Sequence, residues 1–123
     1  MTRRSRVLVV DDDATLRETL DEILSDEGYE VRAASNAQEG LGQLDGWRAD
    51  LVILDLMMPL MDAFAFRASL RDADHSPAVA TLVLSAAPNL EEAGRTLGAT
   101  ATLAKPFGLE ELLATVKRLL PRD

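Results

Sequence analysis

Short apolar runs recur along the chain, separated by longer stretches in which apolar residues have helical spacing. Residues 7–10 and 51–54 are β-branched and aliphatic without interruption, which is typical of strands buried on both faces. Residues 29–34 alternate in polarity and predict another strand, and further strands are predicted at residues 81–84 and 100–103. Each run is too short for a helix, so five strands are expected.

The segments after the first and last strands have the clearest helical pattern. The first carries Leu16, Leu20, Ile23 and Leu24 on one face and meets Gly28, a common helix terminator. The last is expected to open at Gly108 and to close at Pro121, with one apolar face. That face consists of Leu109, Leu112, Leu113, Val116 and Leu120.

Three further helices are predicted between the inner strands. Asn36 and Glu39 have the spacing of a capping box for a helix that runs through Leu44. Shorter helices are predicted at residues 64–70 and 90–97, and residues 72–78 read as a loop. Five strands alternating with five helices imply an α/β fold, in which a parallel sheet is covered by helices on both faces.

Composition narrows the class of protein. A chain of 123 residues with 47% hydrophobic and 28% charged residues fits a single globular domain. It has no cysteine, which excludes thiolate chemistry, and no apolar run long enough to cross a membrane. A net charge of −8 disfavours binding to nucleic acid. We therefore expect a cytoplasmic protein whose partners are proteins or cations.

Polar residues stand where four of the predicted strands end. Asp11 and Asp12 follow the first strand, Asp55 the third, Ser85 the fourth and Lys105 the fifth. The carboxyl ends of parallel strands share one edge of the sheet, where open α/β sheets bind their ligands. These five residues are therefore predicted to form one site.

The residue types at this edge indicate phosphoryl chemistry. Three converging carboxylates repel one another, and one lysine cannot offset them all. Oxygen ligands without histidine or thiolate favour Mg²⁺, with Mn²⁺ as the alternative. A cation, an ammonium and a hydroxyl around one carboxylate are the groups that stabilise a transferring phosphoryl group. Asp55 is then the predicted nucleophile, and an aspartyl phosphate the product.

Several of these residues also have simpler interpretations. Asp12 or Asp13 could cap the first helix, where an acid also favours the helix dipole. The single histidine, His75, is expected to be solvated in its loop, and Trp47 to pack against the core. Capping explains neither the second acid nor Asp55, so the hypothesis of a shared site stands.

The segments VLVVDDD, LVILDLMMPLMD, LVLSA and TLAKPF, in this order, resemble the receiver domain of two-component response regulators. The resemblance covers nearly the whole chain. It implies a doubly wound, flavodoxin-like sheet of five parallel strands in the order 2-1-3-4-5. It also implies that Asp55 accepts a phosphoryl group from a phosphohistidine on a histidine kinase or a phosphotransfer protein.

The same resemblance implies roles for the individual site residues. Asp12 and Asp55 match direct ligands of Mg²⁺, Asp11 a ligand that acts mainly through water, and Met57 a ligand through its backbone carbonyl. Ser85 matches the hydroxyl that bonds the phosphoryl group, and Lys105 the ammonium that pairs with it. The peptide bond from Lys105 to the following proline is expected to be cis.

The chain departs from the family pattern at three places. Thr102 stands where the family usually has an aromatic residue that reports phosphorylation, so coupling is expected to be weaker or to take another route. Ala63 replaces a usual glycine. Only 20 positions separate Ser85 from Lys105, which places a deficit near the predicted helix at residues 90–97. We therefore expect that helix to be short and mobile.

Three classes of function follow. The main expectation is a stand-alone receiver without an output domain, which catalyses only its own phosphorylation and dephosphorylation and acts on an unknown downstream protein. The alternative is a binding module of the same fold that signals through constitutive contacts. A Mg²⁺-dependent hydrolase is disfavoured, because the chain has no cap domain and no second acid in the place of a general acid.

Overall fold

The structure is a computed structural model, and it describes residues 4–44, 46–55, 65, 79–86, 92, 94–95 and 99–120. The predicted loop at residues 72–78 lies outside the described residues, as do most of the two short predicted helices. Within them, Ala65, Glu92, Gly94 and Arg95 have helical backbone. The expectations about Ala63, His75 and the length and mobility of the helix at residues 90–97 also fall outside.

Five parallel strands form one sheet in the order β2-β1-β3-β4-β5. The strands are β1 Arg6–Val10, β2 Glu30–Ala34, β3 Leu51–Asp55, β4 Ala80–Ser85 and β5 Ala101–Ala104. The predicted fold class and strand order are therefore confirmed. Every strand boundary lies within one residue of its predicted position.

Three helices are described along most of their length. They are α1 Ala14–Asp26, α2 Ala37–Gln43 and α3 Leu109–Leu119. Asp13 caps α1, because its Oδ1 accepts the backbone N–H groups of Thr15 at 3.0 Å and Leu16 at 3.3 Å. Just beyond the end of α1, Gly28 has a φ of +97°, the left-handed conformation that glycine adopts without strain. None of the helices in the described part of the chain has the length and hydrophobicity needed to cross a membrane.

The predicted capping box at the start of α2 is present in a slightly different form. The Asn36 side chain accepts the N–H of Glu39 at 2.8 Å, as expected. Glu39 reaches back to the N–H of Ser35 at 3.0 Å, one residue before the cap. Both bonds hold the entry to α2, which is only seven residues long.

Side chains alternate between the two faces of the sheet, and each face has its own hydrophobic cluster. One cluster places strand residues such as Val10, Leu54 and Val83 on the face that α2 covers. The other joins the opposite strand residues to Leu20 of α1 and Leu112 of α3. With both faces covered, polar groups gather at the strand ends.

Trp47 lies at the edge where β1 and β2 begin and is almost fully buried, as predicted. Its Nε1 donates a hydrogen bond to Glu30 Oε2 at 2.6 Å. The guanidinium groups of Arg6 and Arg32 lie 5.6 and 4.7 Å from the ring centroid. The indole N–H is the main reason that the pKa of Glu30 lies below its usual value. This cluster is at the opposite end of the sheet from the polar strand ends.

Candidate functional site

The carboxyl edge of the sheet brings together five of the six predicted site residues. Asp55 and Ser85 are the last residues of β3 and β4, Asp11 and Asp12 follow β1, and Lys105 follows β5. Since β2 and β3 lie on opposite sides of β1, the chain reverses its direction across the sheet here, which is where such sheets form a crevice. The sixth predicted residue, Met57, lies outside the described residues.

The acids at this edge form a compact cluster. Carboxylate oxygens of Asp11, Asp12 and Asp55 all lie within 4.8 Å of one another. Asp11 and Asp55 are each only 1% exposed, whereas Asp12 is on the surface. The Nζ of Lys105 lies 3.2 Å from Asp55 Oδ2 and 3.6 Å from Asp11 Oδ2. One ammonium group thus lies within ion-pair distance of two buried carboxylates.

The pKa of Asp11 reflects its burial and the charges around it. The pKa of Asp11 is raised from 3.8 to about 6, with burial as the largest cause and the neighbouring Asp55 as a further cause that raises it. The N–H of Asp13 and the charge of Lys105 act in the opposite direction without cancelling the rise. The cluster therefore carries more negative charge than Lys105 balances.

This donor set fits a divalent cation. Its three carboxylates offer only oxygen ligands, which hard cations prefer. Asp11 Oδ2 is buried and accepts no hydrogen bond from the described residues, so its contact with Lys105 is electrostatic alone. A buried carboxylate oxygen of this kind is poorly satisfied without a further positive charge. Asp11, Asp12 and Asp55 could thus hold a metal ion together.

Three hydrogen bonds fix the turn that carries the first two acids. The N–H of Asp11 donates to Ala34 O at 3.1 Å, and the N–H of Asp13 donates to Asp11 Oδ1 at 2.9 Å. The guanidinium of Arg17 donates from Nη1 to Asp11 O at 2.8 Å. Asp11 Oδ1 is thereby held within the turn, and Oδ2 is left toward Asp55 and Lys105.

The structure shows which acid caps α1, and it shows a role for Arg17. Of the two acids considered as helix caps, Asp13 caps α1, and Asp12 belongs to the acidic cluster. The sequence did not predict a role for Arg17 at the site, because this residue acts by binding a backbone carbonyl. The only signal was its position one turn into the helix that follows the acids.

Backbone pairing links the two remaining site residues. Ser85 stands opposite Ala104 in the register of β4 and β5, and the N–H of Lys105 donates to Ser85 O at 2.9 Å. The bond between Lys105 and Pro106 is cis, as expected. The hydroxyl and the ammonium thus come from adjacent strands that end together.

An open cleft of about 440 Å³ lies beside Lys105. It is lined by Leu16 of α1, by Ala86 and by the segment from Lys105 to Phe107. The cleft has a mostly apolar wall and a single ammonium group, so it gives a partner side chain room next to the acids.

Comparison with known proteins agrees with the fold. The profile of the response regulator receiver domain matches residues 7–117. The response regulator MprA of Mycolicibacterium vanbaalenii is 43% identical over 119 residues, which cover 95% of this chain and 51% of that protein. MprA of Mycobacterium avium is 42% identical over the same length. The chain thus spans about half the length of these relatives.

Solved structures give the same result. The chemotaxis protein CheY4 of Vibrio cholerae is 35% identical, with a TM-score of 0.85 over 96% of this chain and 100% of that one. The response regulator TrrA of Thermotoga maritima, solved in complex with Mg²⁺ and BeF, is 34% identical, with a TM-score of 0.79 over 94% of this chain and 99% of that one. On sequence and structure together, the chain belongs to the response regulator receiver domain family.

Proposed function

We propose that this chain accepts a phosphoryl group on Asp55 from the phosphohistidine of a histidine kinase or a phosphotransfer protein. The observation that carries the proposal is the buried Asp55 carboxylate with the Lys105 ammonium 3.2 Å from its Oδ2, next to two further acids. A nucleophilic carboxylate beside a fixed cation is suited to an incoming phosphoryl group, whose oxygens carry negative charge.

The proposed step is an in-line transfer. An oxygen of Asp55 attacks phosphorus and forms a P–O bond, while the P–N bond to the donor imidazole breaks and its electron pair returns to nitrogen. Lys105 stays protonated and pairs with a phosphoryl oxygen, and the Ser85 hydroxyl donates a hydrogen bond to another. Ser85 ends β4, which neighbours β3, and Lys105 follows β5, the next strand in the sheet, so the fold holds both groups before the donor arrives.

Asp11, Asp12 and Asp55 would hold Mg²⁺, or Mn²⁺ in its place, with the Met57 carbonyl as a further candidate ligand. When bound, the cation supplies positive charge that offsets the carboxylates and the phosphoryl oxygens. The raised pKa of Asp11 and its unsatisfied Oδ2 support this assignment.

The nucleophile is part of the protein, so the chain is proposed to act once per phosphoryl group rather than as an enzyme with a free substrate. It would catalyse only its own phosphorylation and dephosphorylation, and it would signal through contacts with a downstream protein. The family favours a cytoplasmic location. The relatives are about twice as long, so this function is proposed for the described domain.

The alternative, a binding module with constitutive contacts, is favoured by one observation. Thr102 of β5 stands where the family usually has an aromatic residue. A module of this kind would keep the acidic cluster but would not change shape when Asp55 is modified.

Intact mass and amide spectra distinguish these functions. The protein is incubated with Mg²⁺ and a small phosphodonor, or with beryllofluoride as a phosphoryl analogue. We expect a Mg²⁺-dependent gain of one phosphoryl group in the unaltered protein, its loss in Asp55→Asn, and its retention in the matched control Asp13→Asn, whose acid caps α1 outside the cluster.

The other outcomes are equally clear. No adduct with either reagent would contradict the phosphoacceptor function. An adduct without spectral change beyond the site would favour the binding module. Steady release of phosphate from a phosphoester, with no stable adduct, would favour a hydrolase.

A further inference from the structure

Gly94 and Thr102 approach each other unusually closely on the face of the sheet that α2 also covers. A Cβ atom added to Gly94 would overlap the Thr102 methyl group, Cγ2. Cβ atoms added at Gly28, Gly42, Gly46 and Gly108 would meet nothing within 4 Å. Contact with the Thr102 methyl therefore distinguishes Gly94 from these other glycines.

The glycine is disadvantageous for the helix itself. Gly94 is buried with helical backbone, and glycine inside a helix costs about 1 kcal/mol relative to alanine. The close approach explains its presence, because any side chain there would push the helical segment away from β5. The contact is between a backbone and a methyl on a β-branched residue, which has few rotamers by which to yield.

Thr102 is also connected to the candidate site through the sheet. It stands opposite Val83, two residues before Ser85, and it precedes by three residues Lys105, which follows β5. The N–H of Lys105 donates to Ser85 O, so a backbone hydrogen bond joins the two strand ends. A displacement of Ser85 or Lys105 is therefore shared by β4 and β5 and reaches Thr102 within about 10 Å of extended chain.

Hydrogen bonds also hold the backbone of Gly94 and the residues that precede β5. Ala99 donates its N–H to Gly94 O at 2.9 Å. Thr100 donates its N–H to Thr81 O at 2.8 Å, and its hydroxyl accepts the N–H of Thr81 at 3.0 Å. Gly94 is thus held at the base of β5 and touched by Thr102 farther along the strand, so movement of the strand acts on it directly.

We propose that the contact between the Thr102 methyl and the backbone of Gly94 carries a change at Asp55 to the helical segment around Gly94. The contact transmits a strand displacement by steric exclusion instead of by rotation of an aromatic ring. This inference rests on the proposed phosphoacceptor function. It assigns to Thr102 a positioning role outside the site, because the residue touches none of the reacting groups.

Amide spectra recorded with and without Mg²⁺ and beryllofluoride test the contact. In the unaltered protein, we expect shifts at Asp55, Ser85 and Lys105 and also at Gly94 and Ala99. Thr102→Ser removes only the methyl, so the shifts at Gly94 and Ala99 should fall about twofold or more while those at the site persist. Thr102→Val keeps a methyl at this position and should retain the full response.

A double variant makes the test specific to the contact. Gly94→Ala combined with Thr102→Ser moves the methyl from the strand to the helix, and it should restore the response at Ala99. Thermal unfolding of each variant confirms that it is folded. An undiminished response in Thr102→Ser overturns the proposed contact alone. Absence of shifts at Asp55, Ser85 and Lys105 in the unaltered protein overturns the phosphoacceptor function, and the coupling with it.

Discussion

The Lys105 ammonium lies 3.2 Å from Asp55 Oδ2, in the position from which it can neutralise either the bare carboxylate or a phosphoryl group attached to it. The same ammonium lies 3.6 Å from Asp11 Oδ2. Lysine and a divalent cation would thus act on the same two acids. Both positive groups would stabilise the charged form of these acids, and the two positive groups would repel each other.

Replacing Lys105 by methionine should therefore change metal binding and phosphorylation in opposite directions. The Mg²⁺ dissociation constant should fall about threefold or more, because a neighbouring positive charge is removed. The rate of adduct formation should fall about tenfold or more, since a phosphoryl oxygen loses its partner. Calorimetric titration with Mg²⁺ and intact mass against time measure the two effects. Weaker Mg²⁺ binding in Lys105→Met would contradict the shared role.

Asp11→Asn should stabilise the metal-free protein. The folded-state pKa of Asp11 is raised from 3.8 to about 6, so the folded protein binds more protons than the unfolded chain between these values. The free energy of unfolding should then decrease as pH rises from about 4 to about 6, by an amount up to about 3 kcal/mol. Asparagine removes the buried charge and should recover that stability at pH 7.

Urea denaturation at several pH values, without divalent ions, measures this effect. The difference in stability between Asp11→Asn and the unaltered protein should vanish near pH 4 and grow toward pH 7. Asp13→Asn, at the exposed cap of α1, is the matched control and should show no such growth. A constant difference across the range would rule out Asp11 as the source.

Metal binding should show the corresponding pH dependence. A cation needs the deprotonated carboxylate of Asp11, whose pKa of about 6 leaves much of it protonated in mildly acidic solution. The apparent Mg²⁺ dissociation constant should be flat above pH 7 and should rise toward about tenfold per unit below pH 6. A titration series from pH 5 to pH 8 measures it. If the dissociation constant began to rise only near pH 4, Asp11 would not be a ligand with a raised pKa.

Arg17 is expected to position the acids without touching a ligand. Its hydrogen bond to Asp11 O holds the turn that directs Oδ2 toward the cluster. Arg17→Ala should weaken Mg²⁺ binding about threefold or more and lower the free energy of unfolding by about 1–2 kcal/mol. Arg17→Lys keeps a charged donor and should recover part of the affinity. Unchanged Mg²⁺ affinity in a destabilised Arg17→Ala protein would restrict Arg17 to a structural role.

Trp47→Phe should lower stability and leave the site unaffected. Phenylalanine retains an aromatic ring near Arg6 and Arg32 but cannot donate to Glu30. We expect a loss of about 1–2 kcal/mol in the free energy of unfolding. The Mg²⁺ dissociation constant should not change, because the indole lies at the opposite end of the sheet. A change in metal affinity would show that the two ends are coupled.

Much of the fold and site could be predicted because the same residues determine both. The run from Leu51 to Leu54 is buried on both faces, and Asp55 ends β3, so one segment specifies a strand and its reactive end. Gly28 and Asn36 likewise mark helix ends by their own backbone and side-chain chemistry. Such local signals do not depend on distant parts of the chain.

The rest depends on tertiary geometry. Which of three adjacent acids caps α1 depends on the extended backbone of Asp13, and spacing alone does not determine it. The bond from Arg17 to a carbonyl and the approach of Gly94 to Thr102 join groups whose separation only the packed structure defines. The size of the pKa rise at Asp11 also requires its burial to be known.

Trp47 is the only tryptophan in the sequence, and its position makes its fluorescence a reporter of folding. Trp47 is enclosed by Arg6, Arg32 and Glu30, about 15 Å of extended strand away from the acids, so its emission should change on unfolding and stay constant on metal binding or phosphorylation. Stability and site occupancy can therefore be followed in one sample, by fluorescence and by amide spectra, without an added label.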